Sequence, residues 1–533
     1  MSLQFITGNS GNGKTKYLFN RIVKEAKANP RDNYLVIVPE QFTMQTQRQL
    51  VDLSENKAIM NIDVLSFKRL AYRVFDELGI TNLTVLEETG KNLVLRKLAA
   101  QEADKLGVIG RNLNRIGYIS EVKSLLSELV QYNISPEELG RYIASGRLSD
   151  ALSDKLKDVL VLYEAFEKFM QDKYITAEEI LNVLCNVAEE SAILRNSVIA
   201  FDEFTGFTPI QNQLIKKLFV ISKKIYVTLT IDCREDIFKS RGMQELFDMP
   251  KRTVKSLTEM AAFYGIEVEE PIILDKNYRL AENEELSFME QQFFRKRRCS
   301  FKKVPKHIHI DCLRDPKQEL TKIARRINEL VRNENLRYRD IAIVTGDVNI
   351  YAGYVREIFD KYNIPYFIDA TQEILFHPFI EFIRSIPDIA AQNFSADAVF
   401  RFLRCGFSEL LDSEIDVLEN YVLACGVRGK SAWDKKWVRL PKHKAGYDIE
   451  LLNQSREYIM ELLKPVYQVF SDKKSTVKDY VLAIYKLIVL LDIPDKLAKK
   501  EQALLDAGDQ TASKEYGQIY KIVMQLFEKY VAV

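Results

Sequence analysis

The chain has 533 residues, with 76 Lys and Arg against 75 Asp and Glu and a formal charge of +1, a length that fits about three to four domains. Its 47% hydrophobic and 28% charged residues are ordinary globular usage and exclude a chain that is disordered over most of its length. The charge balance also excludes a uniformly basic nucleic-acid coat, so any contact with DNA has to come from local patches or a cleft.

Leu3–Thr7 is a short apolar run that predicts a strand, without the basic start and cleavage site of a signal peptide. It leads through Gly8-Asn9-Ser10-Gly11-Asn12-Gly13-Lys14-Thr15 into a helix over about Lys14–Ala28. Tyr34–Pro39 is a continuous apolar run, as in a strand covered on both faces. Ile62–Ser66 predicts a third strand and Phe67–Leu78 a helix, so strands and helices alternate as in an α/β domain. From about Glu87 to Glu190 the pattern turns helical. Leu152, Leu156, Val159, Tyr163, Phe166 and Met170 recur at spacings of three and four, and so do Ile119, Val122, Leu126 and Leu129. Strands return at Ser197–Phe201 and Ile225–Ile231, which makes the helical block an insertion.

The basic segment Phe294–Lys306 reads as an exposed connection, and its run from Arg295 as a local patch or a solvated loop. A second α/β unit is expected after it. Strands are predicted at Ile308–Cys312, Asp340–Thr345 and from Ile364 to Phe367, with helices over Pro316–Asn333 and Tyr351–Tyr362. After about Ile374 the chain reads as helical. Its last helix, with Ile519, Val523, Leu526 and Tyr530, reaches Val533 without a stop signal, and we expect a truncated chain. No apolar run is long enough to span a membrane; the nearest, Val481–Leu491, is broken by Lys486. Cys185, Cys233, Cys299, Cys312, Cys405 and Cys425 form no C-x-x-C pair, which predicts reduced thiols in a cytoplasmic protein and no zinc site.

Gly8–Thr15 fits G-x-x-x-x-G-K-[ST] between a predicted strand and a predicted helix. Glycines there let several backbone N–H groups converge on one anion, and the helix N-terminus adds positive potential. Lys14 is expected at the β- and γ-phosphates and Thr15 on Mg²⁺. Val198–Phe201 followed by Asp202-Glu203 reads as the partner motif, with Asp202 on the metal and Glu203 polarising a water. Phe67 and Tyr72 can stack on bases and Lys68 or Arg69 can meet phosphate, although the helical spacing suits Phe67 and Leu70 equally as core. Arg279, in Lys276-Asn277-Tyr278-Arg279, suits either a finger reaching a γ-phosphate across a domain cleft or a surface turn.

Together these motifs resemble the UvrD-type superfamily 1 helicases, and more specifically the AddB family, one of the two subunits of bacterial AddAB helicase–nucleases. The matching segments are Val38–Thr43, Leu65–Leu70, Asn133–Glu137, Phe201–Gln211, and Leu418–Tyr421 through Gly426-Val427-Arg428-Gly429 to Trp433. The resemblance implies an α/β fold of P-loop NTPase (RecA-like) domains with inserted helical subdomains. The first RecA-like domain would be 1–86 with 191–275, the insertion 87–190, a partial second RecA-like domain 276–385, and a second helical subdomain 386–533. It implies a subunit that resects double-strand breaks with an AddA-type motor, binds ATP and Mg²⁺, contacts single- and double-stranded DNA, and reads the Chi sequence. By resemblance the DNA-reading residues are Gln41, Thr43, Phe67, Arg69, Tyr72 and Phe207, and the catalytic ones Asp202, Glu203 and Arg279. A nuclease domain and its 4Fe-4S cluster are expected only in the full-length family member.

Three departures limit the motor reading. Phe204-Thr205 stands where a UvrD-type motor has Gln-Asp, and Thr230-Ile231-Asp232-Cys233-Arg234 lacks the γ-phosphate-sensing glutamine. The last motor motif is not found before Val533. ATP binding is therefore favoured over productive hydrolysis. An autonomous UvrD-type helicase and a non-enzymatic scaffold with a relict P-loop stay open as alternatives.

Overall fold

The computed structural model describes residues 1–532 apart from 81–84, 109, 111–116, 147, 171–173, 177, 294–298, 370–373 and 442–446. Arg295 to Arg298 of the predicted basic patch thus lie outside the described residues, as does Val533. The chain divides into two compact units, Met1–His309 and Ile310–Val533.

The first unit is α/β and compatible with a Rossmann-like fold. Its main strands are β1 (Ser2–Gly8), β2 (Tyr34–Ile37) and β3 (Ile62–Leu65), then, after a short pair β4 (Val85–Leu86) and β5 (Ile175–Thr176), β6 (Val198–Phe201) and β7 (Lys224–Thr230), with β8 (Glu267–Val268) and β9 (Ile272–Leu274) at the edge. They pair in the order β3-β2-β6-β7-β1-β8, with β9 also on β1, and every pair is parallel. Parallel strands need crossovers, and the helices α1 (Lys14–Ala28), α2 (Thr43–Leu53) and α3 (Phe67–Leu78) supply the first ones. Alternate strand residues face opposite layers. Phe5, Leu35, Ile199 and Val227 pack with Leu70, Val74, Leu214 and Leu257 on one face. Ile6, Val36, Ala200 and Tyr226 pack with Leu18, Phe19, Ile22 and Leu50 on the other. This double burial is why these strands read as continuous apolar runs.

Between β3 and β6 lie the helices Glu88–Gln101, Tyr118–Gln131, Pro136–Ala144, Asp150–Met170 and Ile180–Val187. Ile119, Val122, Leu126 and Leu129 are all buried, as are Val159, Tyr163, Phe166 and Met170. Leu152 departs from the expected stripe and is 45% exposed, because the burial on its helix starts only near Asp158. Lys91, whose side chain is 3% exposed, ties the insertion together through Glu178 (2.6 Å) and Glu88 (2.8 Å).

In the second unit, the helices Pro316–Asn333 and Val348–Lys361 pack through Leu320, Ala324 and Ile327 against Ile358, Phe359 and Ile364. The remainder, from Pro378–Ala391 to Gln510–Ala532, is helical and surrounds Phe379, Phe382, Phe402, Tyr421 and Trp433. The strands expected at Ile308–Cys312, Asp340–Thr345 and Ile364–Phe367 are corrected. Among the described residues these segments join no sheet. Ile341 and Ile364 lean on the helix pair, while Ile310, Val344 and Phe367 are 94%, 93% and 88% exposed. An apolar run is not enough for a strand, whose backbone groups must find a paired neighbour. No described helix is long and apolar enough to cross a membrane.

Candidate functional site

Because β1, β2, β6 and β7 are parallel, their C-terminal ends open on one edge of the sheet, the edge where open α/β sheets bind ligands. β1 runs into the Gly8–Thr15 loop, and α1 begins at Lys14. Gly11 and Gly13 have φ of 90° and 79°, values that L side chains rarely adopt. A Cβ on Gly11 would stand 2.8 Å from both Arg279 Cβ and Asn277 Oδ1. Gly11→Ala is therefore expected to push Asn277–Arg279 off the loop and to cost ~1–3 kcal/mol. Calorimetric unfolding together with an ATP titration checks this; a variant as stable and as tight-binding as the parent contradicts it.

Lys14 Nζ donates to the carbonyls of Gly8 (3.1 Å) and Asn9 (3.0 Å). Burial pushes its pKa down, while the charges of Glu203 and Asp202 pull it back up. Thr15 Oγ1 donates to Glu203 Oε1 at 3.3 Å. Asp202, at the end of β6, is 1% exposed and accepts a hydrogen bond from Thr228 Oγ1 of β7. Its Oδ2 is buried without a hydrogen-bond partner, and so are Thr7 Oγ1, Asn9 Oδ1 and Asn12 Oδ1. Glu203 adopts φ 64°, the left-handed region, which is unusual for a residue with a side chain.

Burial raises the Asp202 pKa, the neighbouring Glu203 charge raises it further, and the Thr228 hydroxyl opposes both. The folded chain then binds this proton more tightly than the unfolded one, so the charge costs stability as pH rises above the ordinary carboxylate range. Asp202→Asn removes that cost. Without nucleotide at neutral pH, we expect it to gain ~0.5–2 kcal/mol, with the gain shrinking as pH falls toward the carboxylate range. Calorimetry of the two proteins across pH tests this, and a destabilised variant at pH 7 would sink it.

The segment after β9 folds over the loop. Asn12 Nδ2 donates to Leu274 O (2.6 Å), Asn277 Nδ2 to Ser10 O (3.0 Å), and Tyr278 N to Gly11 O (3.0 Å). Arg279 Nη1 reaches Ser10 Oγ at 3.3 Å, so this arginine meets the loop from within the same unit. The Tyr278 ring is 64% exposed, and it stands 3.5 Å from where a Cβ on Gly13 would sit. Lys14, Thr15, Asp202, Glu203, Tyr278 and Arg279 line one cavity of about 740 Å³. Loop, acids and arginine thus line one cavity. The bond from Thr228, the clasp from Asn277 and the Asn9–Glu290 contact (2.8 Å) lie beyond what the motifs predict. Of these, only the tetrapeptide around Asn277 carries a sequence signal. Asp232, at the end of β7, is held by Arg234 through Nε (2.9 Å) and Nη2 (2.6 Å).

The six expected DNA-reading residues follow the ends of β2, β3 and β6. Gln41 is exposed in a short turn after β2, and Thr43 is buried, its hydroxyl donating to Glu40 O at 3.0 Å. Arg69 Nε donates to Glu40 Oε1 at 3.2 Å. Tyr72 is 38% exposed. Phe67 is 7% exposed, with ring centroids 5.8, 5.5 and 6.3 Å from Phe201, Phe204 and Phe207. It sits in the core, the other reading its spacing allowed, and Phe207 is half-buried beside it.

A family model described as "ADDB, N-terminal" matches residues 5–290. The B-type subunit of the ATP-dependent helicase/deoxyribonuclease of Lachnoclostridium phytofermentans is 38% identical over 541 residues, covering 100% of this chain and 47% of its own length. The proteins of the same name from Clostridium novyi and Caldanaerobacter subterraneus are 31% and 32% identical, again over 100% of this chain and 46% of their own lengths. The chain spans about half the length of these curated relatives.

Proposed function

The chain belongs to the AddB N-terminal family, and on that premise we propose that it forms the helicase-like body of the AddB component of an ATP-dependent helicase/deoxyribonuclease. In this reading it is a cytoplasmic protein that binds ATP and single-stranded DNA, reads the Chi sequence, and partners an AddA-type motor in resecting double-strand breaks. Residues 1–86 and 191–275 are then a P-loop, RecA-like domain, 87–190 its helical insertion, and 386–533 a helical subdomain.

One observation carries the nucleotide part. The cationic glycine loop, the Thr15 hydroxyl and the carboxylates of Asp202 and Glu203 line the same cavity, and Asp202 Oδ2 is buried without a hydrogen-bond partner. Those groups suit a Mg²⁺-bound polyphosphate. Loop N–H groups, Lys14 and Arg279 would hold phosphate oxygens. Thr15 Oγ1 and Asp202 are hard oxygen donors that would hold Mg²⁺, an ion that keeps several waters and takes few protein ligands. Bound Mg²⁺ would offset the charge that develops on the phosphates. Glu203 is exposed and accepts a hydrogen bond from Thr15, and it would orient a water. Asp232 is engaged by Arg234 and no glutamine follows it, which favours ATP held over ATP turned over.

For the DNA part, Arg69 is the test. Its guanidinium is half exposed and paired only with surface-exposed Glu40, a contact that contributes little to stability. Arg69→Ala is expected to weaken binding of a single-stranded oligonucleotide about tenfold, the scale of one charge-assisted contact, with ATP affinity unchanged. Equal oligonucleotide affinity in the two proteins would remove this residue from the DNA-reading surface.

A further inference from the structure

Trp433 and Trp437 are buried, at 0% and 6% exposure, yet the residues around them are strongly cationic. From Arg428 to Arg439 there are Arg428, Lys430, Lys435, Lys436 and Arg439 against one acid, Asp434, in a chain whose charges otherwise balance. Asp434 is taken by Lys430, at 2.6 Å. Arg428, Lys435, Lys436 and Arg439 are exposed and have no ion pair among the described residues. Elsewhere in the unit some cations are paired: Arg404 faces Asp416 and Glu419, and half-buried Lys496 faces Glu409.

The backbone of this segment is held from below. Arg456, 5% exposed, donates from Nη1 to Trp433 O at 2.8 Å. Asn453, also 5% exposed, donates to Trp437 O and accepts from Trp437 N, both at 2.9 Å. Trp437 Nε1 donates to Ala432 O (3.0 Å) and the Tyr421 hydroxyl to Arg439 O (2.6 Å). Buried carbonyls need partners in any fold, and those that serve these two are a buried guanidinium and a buried amide. Here they fix an irregular path and leave Lys435, Lys436 and Arg439 outside, so ordering them on a partner costs little.

We propose that Arg428–Arg439 is a preorganised cationic strap that seats the phosphate backbone of nucleic acid. The inference rests on the DNA role proposed above and adds a surface to it. Both tryptophan rings point inward, so the strap has no exposed ring on which a base could stack. Contacts limited to Lys and Arg charges are sequence-independent and salt-sensitive. The strap therefore takes backbone phosphates, and duplex DNA serves as well as a single strand.

The test is Lys435→Ala, Lys436→Ala and Arg439→Ala combined in the 533-residue chain, with anisotropy titrations of a blunt duplex oligonucleotide at several salt concentrations. Losing these phosphate contacts should lower the slope of log K against log salt by about 2.7, at ~0.9 per contact. Exchanging Lys for Arg and Arg for Lys at the same positions should restore it. Unchanged tryptophan fluorescence shows that the fold is intact. Parallel slopes for wild type and variant overturn the strap but leave the DNA role standing. A wild type that binds neither duplex nor single strand overturns both. Binding of poly-glutamate without DNA overturns the strap in favour of an acidic protein partner.

Discussion

Replacing Lys14 by alanine is expected to lower ATP affinity about 10- to 100-fold, the ~1.5–3 kcal/mol of a charge-assisted hydrogen bond to phosphate. The ammonium already sits between the loop carbonyls of Gly8 and Asn9, with Asp202 and Glu203 as its nearest charged supports. Phosphate at the loop would replace two neutral acceptors with an ionised one. The fold does not depend on this side chain, which is only half-buried and pairs with backbone alone. DNA affinity and thermal unfolding should therefore stay near wild type. The check is equilibrium binding of a fluorescent ATP analogue to both proteins with Mg²⁺. Equal affinities would mean that the loop does not carry a nucleotide.

Trp433→Ala should have the largest effect on stability, about 3–5 kcal/mol in the second unit. The ring is fully buried, packs edge-on against Trp437 at 5.3 Å, and is tilted against Phe400 at 6.4 Å. Its removal leaves a large cavity beside Arg456, whose guanidinium is fixed by the Trp433 carbonyl and Asn453. Both tryptophans of the chain lie in this unit, so Trp437 fluorescence in urea follows it selectively. The midpoint should fall sharply in the variant; an unmoved midpoint would mean that this core is not what holds the unit.

Much of the first unit is legible in its residues. Strand runs such as Tyr34–Ile37 are apolar on both faces, and Ser66 followed by Phe67 marks a helix start that the Ser66 side chain caps through Arg69 N. The glycine loop and Asp202-Glu203 carry their chemistry in short spacing, so their convergence can be anticipated across the insertion. Three kinds of feature cannot. Ile341–Val344 has strand composition, but whether such a run pairs depends on distant chain. Phe67 could serve a base or a core equally by periodicity, and only the rings of Phe201, Phe204 and Phe207 decide where it sits. The Thr228–Asp202 bond joins adjacent strands and has no local spacing. The same is true of the hold that Arg456 and Asn453 keep on the Trp433–Trp437 loop.

The measurement closest to the central claim is calorimetric titration of ATP into the wild-type chain, with and without Mg²⁺. A single site per chain, tightened by Mg²⁺, is the predicted result, because in the proposed reading Thr15 and Asp202 would offer the metal oxygen donors beside the loop. No heat of binding in either condition, from a protein that unfolds cooperatively and is therefore folded, would contradict it and leave the glycine loop a relict.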